Sequence, residues 1–291
     1  MKIWPECIPC VLKMSLDVMR TLTNDEKQIK RFLTEVLELK PLRGEDYSIT
    51  SPEMTRNVWL KIKEFSGLED PLKAKKEEQN RKALNLYPGA KEIIKKSNDP
   101  IVETLKLAIL GNSIDSMGDI KGFSIEEMVK YLHENWIDTR AVEELKKKIS
   151  NVRKIVYLGD NCGEIVFDKL LIETLHHIYH TDIIFITRTL PILNDAIFED
   201  ALSVGMNEVA TVMENGILEP LPGTFLDRAS KEVRRLINDS NLIISKGLGN
   251  FDTLSEDETL RGKISFLLRG KCYPSCAAHH VPFGSLIIHH F

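Results

Sequence analysis

The 291-residue sequence is short of the features that mark export or membrane insertion. No apolar run approaches the roughly 18 residues needed to cross a bilayer. The opening stretch MKIWPECIPC contains no apolar core of signal-peptide length. Cysteine occurs five times, an odd count scattered over a long chain, which argues against a secreted disulfide scaffold. These absences lead to the expectation of a soluble, cytoplasmic protein with no membrane partner. An excess of one charge is missing too. The 39 Lys and Arg face 43 Asp and Glu, a formal net charge of −4, so no broad basic field invites nucleic acid. The densest basic stretch, DPLKAKKEEQNRK, alternates its signs and reads as the solvated face of a helix.

What is present suits a globular protein: 43% hydrophobic and 28% charged residues, over a length that makes one large domain or two ordinary ones. Residues 1–150 read as helices. Ile8, Val11, Leu12, Val18, Met19 and Leu22 recur at three- and four-residue spacing, as do Ile29, Phe32, Leu33, Val36 and Leu37. In TSPEMTRNVWLKI, Ser51 is the expected N-cap and Pro52 the first helical residue. From residue 151 the period changes. Short apolar runs, KIVYL, DIIFIT, EVATVM, NLIIS and ISFLL, alternate with helix-length segments. That pattern predicts a parallel sheet covered on both faces. The expected fold is therefore an N-terminal helical cap domain, 1–150, on a doubly wound, mainly parallel, Rossmann-like three-layer α/β domain, 151–291.

In open α/β sheets, ligands bind beyond the carboxyl ends of the strands. Three predicted strands deliver polar groups there: Asp160, Asn161 and Glu164 after the first; Arg188, Asn194 and Asp195 after the second; Lys246, Gly247, Gly249 and Asn250 after NLIIS. Two carboxylates and a carboxamide, Asp160, Asn161 and Asp195, are hard oxygen ligands suited to Mg²⁺ or Mn²⁺. A lysine before a glycine-rich turn offers a cation and approachable backbone N–H groups to a phosphate. Each piece has a plainer reading. Asp160-Asn161 also makes a turn, Asp195 also makes an N-cap, and KGLGN is neither a dinucleotide fingerprint nor a P-loop.

GDNCGE after one strand, NDA after the next and KGLGNFDTLSE later resemble the damage-control phosphatases. So do AILGNSID and DPLKAKKEEQN in the helical half, and CIPC is similar to the archaeal-type subfamily with an N-terminal CxxC. The resemblance spans nearly the whole chain. It implies a metal-dependent phosphomonoester hydrolase acting on small phosphorylated metabolites: sugar phosphates, nucleotides or cofactor precursors that are damaged or in surplus. It further implies Mn²⁺, Ni²⁺, Co²⁺ or Mg²⁺ held by Asp160, Asn161 and Asp195, and a phosphate contact from Lys246. Asp160 and Lys246 are then the catalytic candidates, and Lys246, Gly247, Gly249, Asn250, Glu164 and Arg188 the substrate-binding ones. The attacking group is either a water or Asp160 itself as a covalent nucleophile. A haloacid-dehalogenase-type phosphatase is the second enzyme reading, weakened because Cys162 stands where its second acid is expected. A metal- or nucleotide-sensing module is the non-enzymatic one.

Cys7, Cys10, Cys272 and Cys276 form two close pairs that would make a zinc or iron–sulfur site if the first helix met the last strand region. Alternatively Cys7 and Cys10 are a redox pair at a helix start. Cys162 reads as a small packing residue. His279, His280, His289 and His290 read as surface or partner-facing side chains, with at most one of each pair able to join a common site. Nothing in the sequence encodes oligomeric state or the physiological substrate.

Overall fold

The computed structural model describes residues 1–111 and 124–291. Residues 112–115 of the AILGNSID motif therefore lie outside the described residues. The helices before the first strand are α1 (Cys7–Leu22), α2 (Glu26–Leu37), α3 (Ser51–Ser66), α4 (Lys73–Lys96), α5 (Pro100–Leu110), α6 (Ile125–Glu134) and α7 (Thr139–Ser150). There follow β1 (Lys154–Leu158), α8 (Glu164–Tyr179), β2 (Asp182–Thr187), α9 (Phe198–Ser203), β3 (Thr211–Glu214), α10 (Lys231–Asp239), β4 (Ile243–Lys246), α11 (Gly247–Leu254), β5 (Ile264–Arg269), α12 (Tyr273–His279) and β6 (Leu286–His290). The start of α3 differs by one residue from the expectation. Thr50 is its N-cap, in a reciprocal capping box with Glu53, and Pro52 follows Ser51.

The sheet order is β3-β2-β1-β4-β5-β6. The first five strands are parallel and β6 closes the edge antiparallel to β5. The chain reverses its direction of sheet growth between β1 and β4, the place where doubly wound sheets open a crevice. Alternation along each strand sends side chains to opposite faces. Ile155, Tyr157, Ile183, Phe185 and Ile244 pack with α4, α5 and α8, whereas Val156, Leu158, Ile186 and Ile243 pack with Val233 and Ile237 of α10 and Phe251 and Leu254 of α11. Because α5 and α4 pack over it, α8 is buried on all sides through its first turns, from Glu164 to Ile172.

The apolar core divides at a different place from the change of periodicity. A separate cluster joins α1, α2 and α3 through Val11, Met19, Phe32, Val36, Val58 and Trp59, whereas α4 to α7 share their core with α8 and the sheet. Ile192, from the loop after β2, completes the first cluster, and the buried Trp59 donates its indole N–H to the Pro191 carbonyl at 3.0 Å. This ties the α1–α3 unit directly above the carboxyl ends of β1 and β2.

Nor is the DPLKAKKEEQNRK face fully solvated. Lys76, Gln79 and Asn80 are buried. The Lys76 ammonium lies 2.8 Å from both Asp70 and Asp200, the paired state that a buried charge requires.

Candidate active site

The site starts where β1 ends. At Gly159 a Cβ would lie 2.5 Å from the Phe185 ring, so no side chain fits there. The two loops after β1 and β2 then run side by side. The Ala196 N–H donates to the Asp160 carbonyl and the Cys162 N–H to the Asn194 carbonyl, each at 2.8 Å, and Asn161 pairs with Asp195 as an isolated antiparallel bridge. Backbone pairing, rather than side-chain attraction, thus brings Asp160, Asn161 and Asp195 together. Cys162 is buried in the packed core, as expected, where burial pushes its thiol well up.

Arg188, the first residue past β2, holds the two acids from beneath. Its Nε donates to Asp195 Oδ2 at 2.7 Å and its Nη2 to Asp160 Oδ1 at 3.2 Å. Its Nη1 donates to Asn250 Oδ1 at 3.3 Å and lies 3.4 Å from the Thr224 hydroxyl. Even so, the site disfavours two ionised carboxylates. Burial, then the charges of Asp195 and Glu164, hold the Asp160 carboxyl well above the ordinary carboxylate range, with Arg188 and Lys271 opposing. Burial also raises Asp195, against Arg188 and Lys76.

Lys246 is placed differently from the sequence expectation. It continues the alternation of Ile244 and enters the face covered by α5 and α8. There its Nζ donates to Glu164 Oε1 and Asp168 Oδ1, each at 2.6 Å, and to the Ala108 carbonyl at 2.7 Å. Asp168 also accepts from the Tyr157 hydroxyl at 2.7 Å. Burial disfavours the ammonium, yet Asp168 and Glu164 more than offset it and raise the Lys246 pKa. All three donors of this lysine are committed to protein acceptors. Glu164 links this buried cluster to the acids above, since its Oε2 accepts from the Asn161 carboxamide at 3.2 Å.

A cavity of about 380 Å³ opens above these groups. Asp160, Asn161, Glu164, Asp195, Gly247, Gly249 and Asp252 form its floor and one side. Lys246, Arg188 and Asn250 lie below it and are not among the lining residues. Gly247 has φ +77°, and a Cβ there would fall 1.9 Å from Asp160 Oδ2. Sequence reasoning missed several residues here. Arg269, the last residue of β5, and Lys271 beyond it line the cavity and bring positive charge to it; the end-of-strand rule applied to ISFLL would have found them. Asn80 of α4 accepts the Gly163 N–H at 2.6 Å and so steadies the start of α8. Gly223, from the PLPG turn, gives its N–H to Asp195.

The family model of the damage-control phosphatase ARMT1-like domain matches residues 3–287. The chain belongs to that family. Similar proteins include a damage-control phosphatase of Pyrococcus horikoshii, 30% identical, covering 99% of this chain and 97% of the relative. Another damage-control phosphatase, from Archaeoglobus fulgidus, is 30% identical over 99% and 98% of the two chains, and an uncharacterized protein of Methanocaldococcus jannaschii is 34% identical over 99% and 95%. The crystal structure of a DUF89 family protein from Pyrococcus horikoshii superposes with a TM-score of 0.85 at 30% identity, covering 98% of each chain. Membership places the chain among phosphatases with a metabolite-repair role. No described helix is long and apolar enough to cross a membrane.

For a damage-control phosphatase, the donor set fits a divalent cation. Among the described residues no three His, Cys, Asp or Glu side chains are grouped as a metal cage. The candidate set instead combines two carboxylates with the Asn161 carboxamide, and hard divalent cations accept that mixture with water or substrate oxygens completing the shell. Burial and mutual repulsion raise the Asp160 carboxyl, and burial raises Asp195, in spite of Arg188; a divalent cation between them would favour their ionised forms.

The four cysteines do not all line one cavity. Cys7, Cys10 and Cys272 line the cavity, but Cys276 opens into a separate hollow beside Pro282 and Phe283, so four thiols do not converge on a zinc or iron–sulfur centre. Nor are the CxxC thiols lowered by the helix start, because burial pushes both Cys7 and Cys10 up. The histidines differ too. His279 packs on Phe251 and His289, with ring centroids 4.9 and 5.0 Å away, and His290 bridges the Ser265 hydroxyl and the Ala141 carbonyl at 2.8 and 2.9 Å. Of these four histidines, His280 alone is exposed. The rings of His279 and His289 fill the space between β6, α11 and α12.

Proposed function

We propose that this chain is a cytoplasmic, divalent-metal-dependent phosphatase that hydrolyses phosphomonoesters of small metabolites, with Asp160, Asn161 and Asp195 as metal ligands. The observation that carries the reading is the pairing of the two loops after β1 and β2, which sets both acids and the carboxamide on the floor of one cavity. Mn²⁺, Ni²⁺, Co²⁺ or Mg²⁺ suits such oxygen ligands. When bound, the ion would supply Lewis acidity toward a phosphoryl oxygen.

The protein's own groups divide the remaining work. Arg188 holds the two carboxylates in fixed relation from below and, being outside the cavity lining, serves them rather than substrate. Arg269 and Lys271 on the wall provide cations for phosphate charge, in the role that the sequence assigned to Lys246. Gly247 and Gly249 leave backbone exposed to a close-fitting ligand. Lys246 keeps Glu164 in place beside Asn161. Glu6 just before α1, with Ser51 and Thr55 of α3, completes the far wall, so the helical half caps the site and shapes its choice among sugar phosphates, nucleotides and cofactor precursors. Removal of damaged or surplus metabolites is the role this chemistry would serve.

Hydrolysis of an aryl phosphate, with and without EDTA and added Mn²⁺, tests the reading. Turnover abolished by EDTA, restored by Mn²⁺ and lost in Asp160→Asn is expected. Turnover indifferent to chelation, or none across a panel of metals and phosphate esters, would overturn it. Rapid quench with labelled substrate distinguishes attack by Asp160, which leaves a phosphorylated protein, from attack by water, which does not.

A further inference from the structure

The proposed mechanism makes no use of three thiols in its own cavity. Cys7 opens α1, Cys10 follows three residues later on the same side of that helix, and Cys272 immediately precedes α12. All three line the cavity that holds Asp160 and Asp195. The two segments that carry them are seated against each other, since the rings of Trp4 and Tyr273 meet edge to face with centroids 6.1 Å apart. Every cysteine is in the free thiol form. Burial raises Cys10, and the charge of Cys272 adds to it. The same two influences act on Cys7, where the Trp4 N–H opposes and Asp252 and Cys10 contribute. The three thiols thus line one cavity on two segments packed against each other, at the junction of the helical and α/β halves.

We propose that Cys10 and Cys272 form a peroxide-responsive site, in which a disulfide ties α1 to the segment after β5 and narrows the catalytic cavity, with Cys7 as the thiol that reopens it. Cys10, the most exposed of the three residues, attacks hydrogen peroxide through its sulfur, the O–O bond breaks, and a sulfenic acid and one water result. Cys272 then attacks the sulfenic sulfur and expels a second water. Two thiols have lost two electrons, and the peroxide has been reduced to two waters. Attack by Cys7 on the Cys10 sulfur would release Cys272 and leave a Cys7–Cys10 disulfide within α1. Because burial raises the Cys10 thiol, its oxidation should be slow at neutral pH and faster as pH rises.

The effect on turnover rests on the phosphatase reading; the cross-link does not. The test treats the full-length protein with hydrogen peroxide, alkylates the remaining thiols and digests with trypsin without reduction. The expected product joins residues 3–13 to residues 272–291, and fragmentation assigns the bond to Cys10 and Cys272. Aryl phosphate turnover should fall with cross-linking and return with dithiothreitol, and Cys272→Ser should remove both the joined peptide and the peroxide sensitivity. Fully alkylated thiols, an initial disulfide confined to Cys7 and Cys10, or cross-linking without loss of turnover would overturn the proposal. The peptide map needs no turnover, so its failure and that of the phosphatase reading are told apart.

Discussion

Arg188 presents its Nε to Asp195 Oδ2 at 2.7 Å, with side-chain exposures of only 2% and 4%. A guanidinium so enclosed exists to compensate charge rather than to greet a ligand. Replacing it as Arg188→Met leaves two buried carboxylates uncompensated, and removal of one partner from such a group costs about 3–5 kcal/mol. Urea denaturation should register a loss of that size. Added Mn²⁺ should recover part of it by binding the native state.

Two lysines separate the buried role from the ligand-facing one. Lys246→Met strands Glu164 and Asp168 and should lower stability by about 3–5 kcal/mol. Lys271→Met should instead leave the urea midpoint near that of the parent protein and raise KM for phosphate esters, because Lys271 lines the cavity. A Lys246→Met protein of unchanged stability with only a higher KM would reverse the assignment.

Gly247→Ala tests the close approach of α11 to the acids. The residue sits at φ +77°, and its Cβ would fall 1.9 Å from Asp160 Oδ2. Backbone strain alone should cost about 1–3 kcal/mol. The displaced carboxylate should weaken Mn²⁺ binding measured by calorimetry and depress turnover together.

Asp252 sets a pH dependence. Burial raises its carboxyl from 3.8 to about 7, with the N-terminal ammonium opposing and Glu256 adding. As pH rises between those two values, the unfolded chain gives up the proton while the native state retains it, so stability falls across that window and the loss is complete above it. Asp252→Asn should flatten this decline, giving a urea midpoint above that of the parent protein at about pH 8 and little difference at about pH 4.

The α/β architecture was legible because strands buried on both faces appear as unbroken apolar runs. KIVYL and DIIFIT correspond to β1 and β2, and the other three runs overlap β3, β4 and β5, each of which ends one residue later. LIIHH is β6, an antiparallel edge whose two histidines hid it among tail residues. The acids at the site were equally legible, since polar side chains that follow buried strands stand out. The environment of Lys246 was not, although its alternation with Ile244 already placed it on the α5 and α8 face. A chain read linearly shows that a cation follows a strand, but not that Glu164 and Asp168, some eighty residues away, wait beneath it.

The sequence by itself determined the parallel sheet, the strand ends that bring acids to one cavity and the family, because these depend on local periodicity and on short motifs in order. Only the tertiary structure decided which groups face the cavity. Arg188 and Lys246 turn inward to neutralise carboxylates, while Arg269, Lys271 and three thiols line the opening. The physical reason is that a buried charge must find its counter-charge, and that partner is supplied by packing between elements distant in the chain.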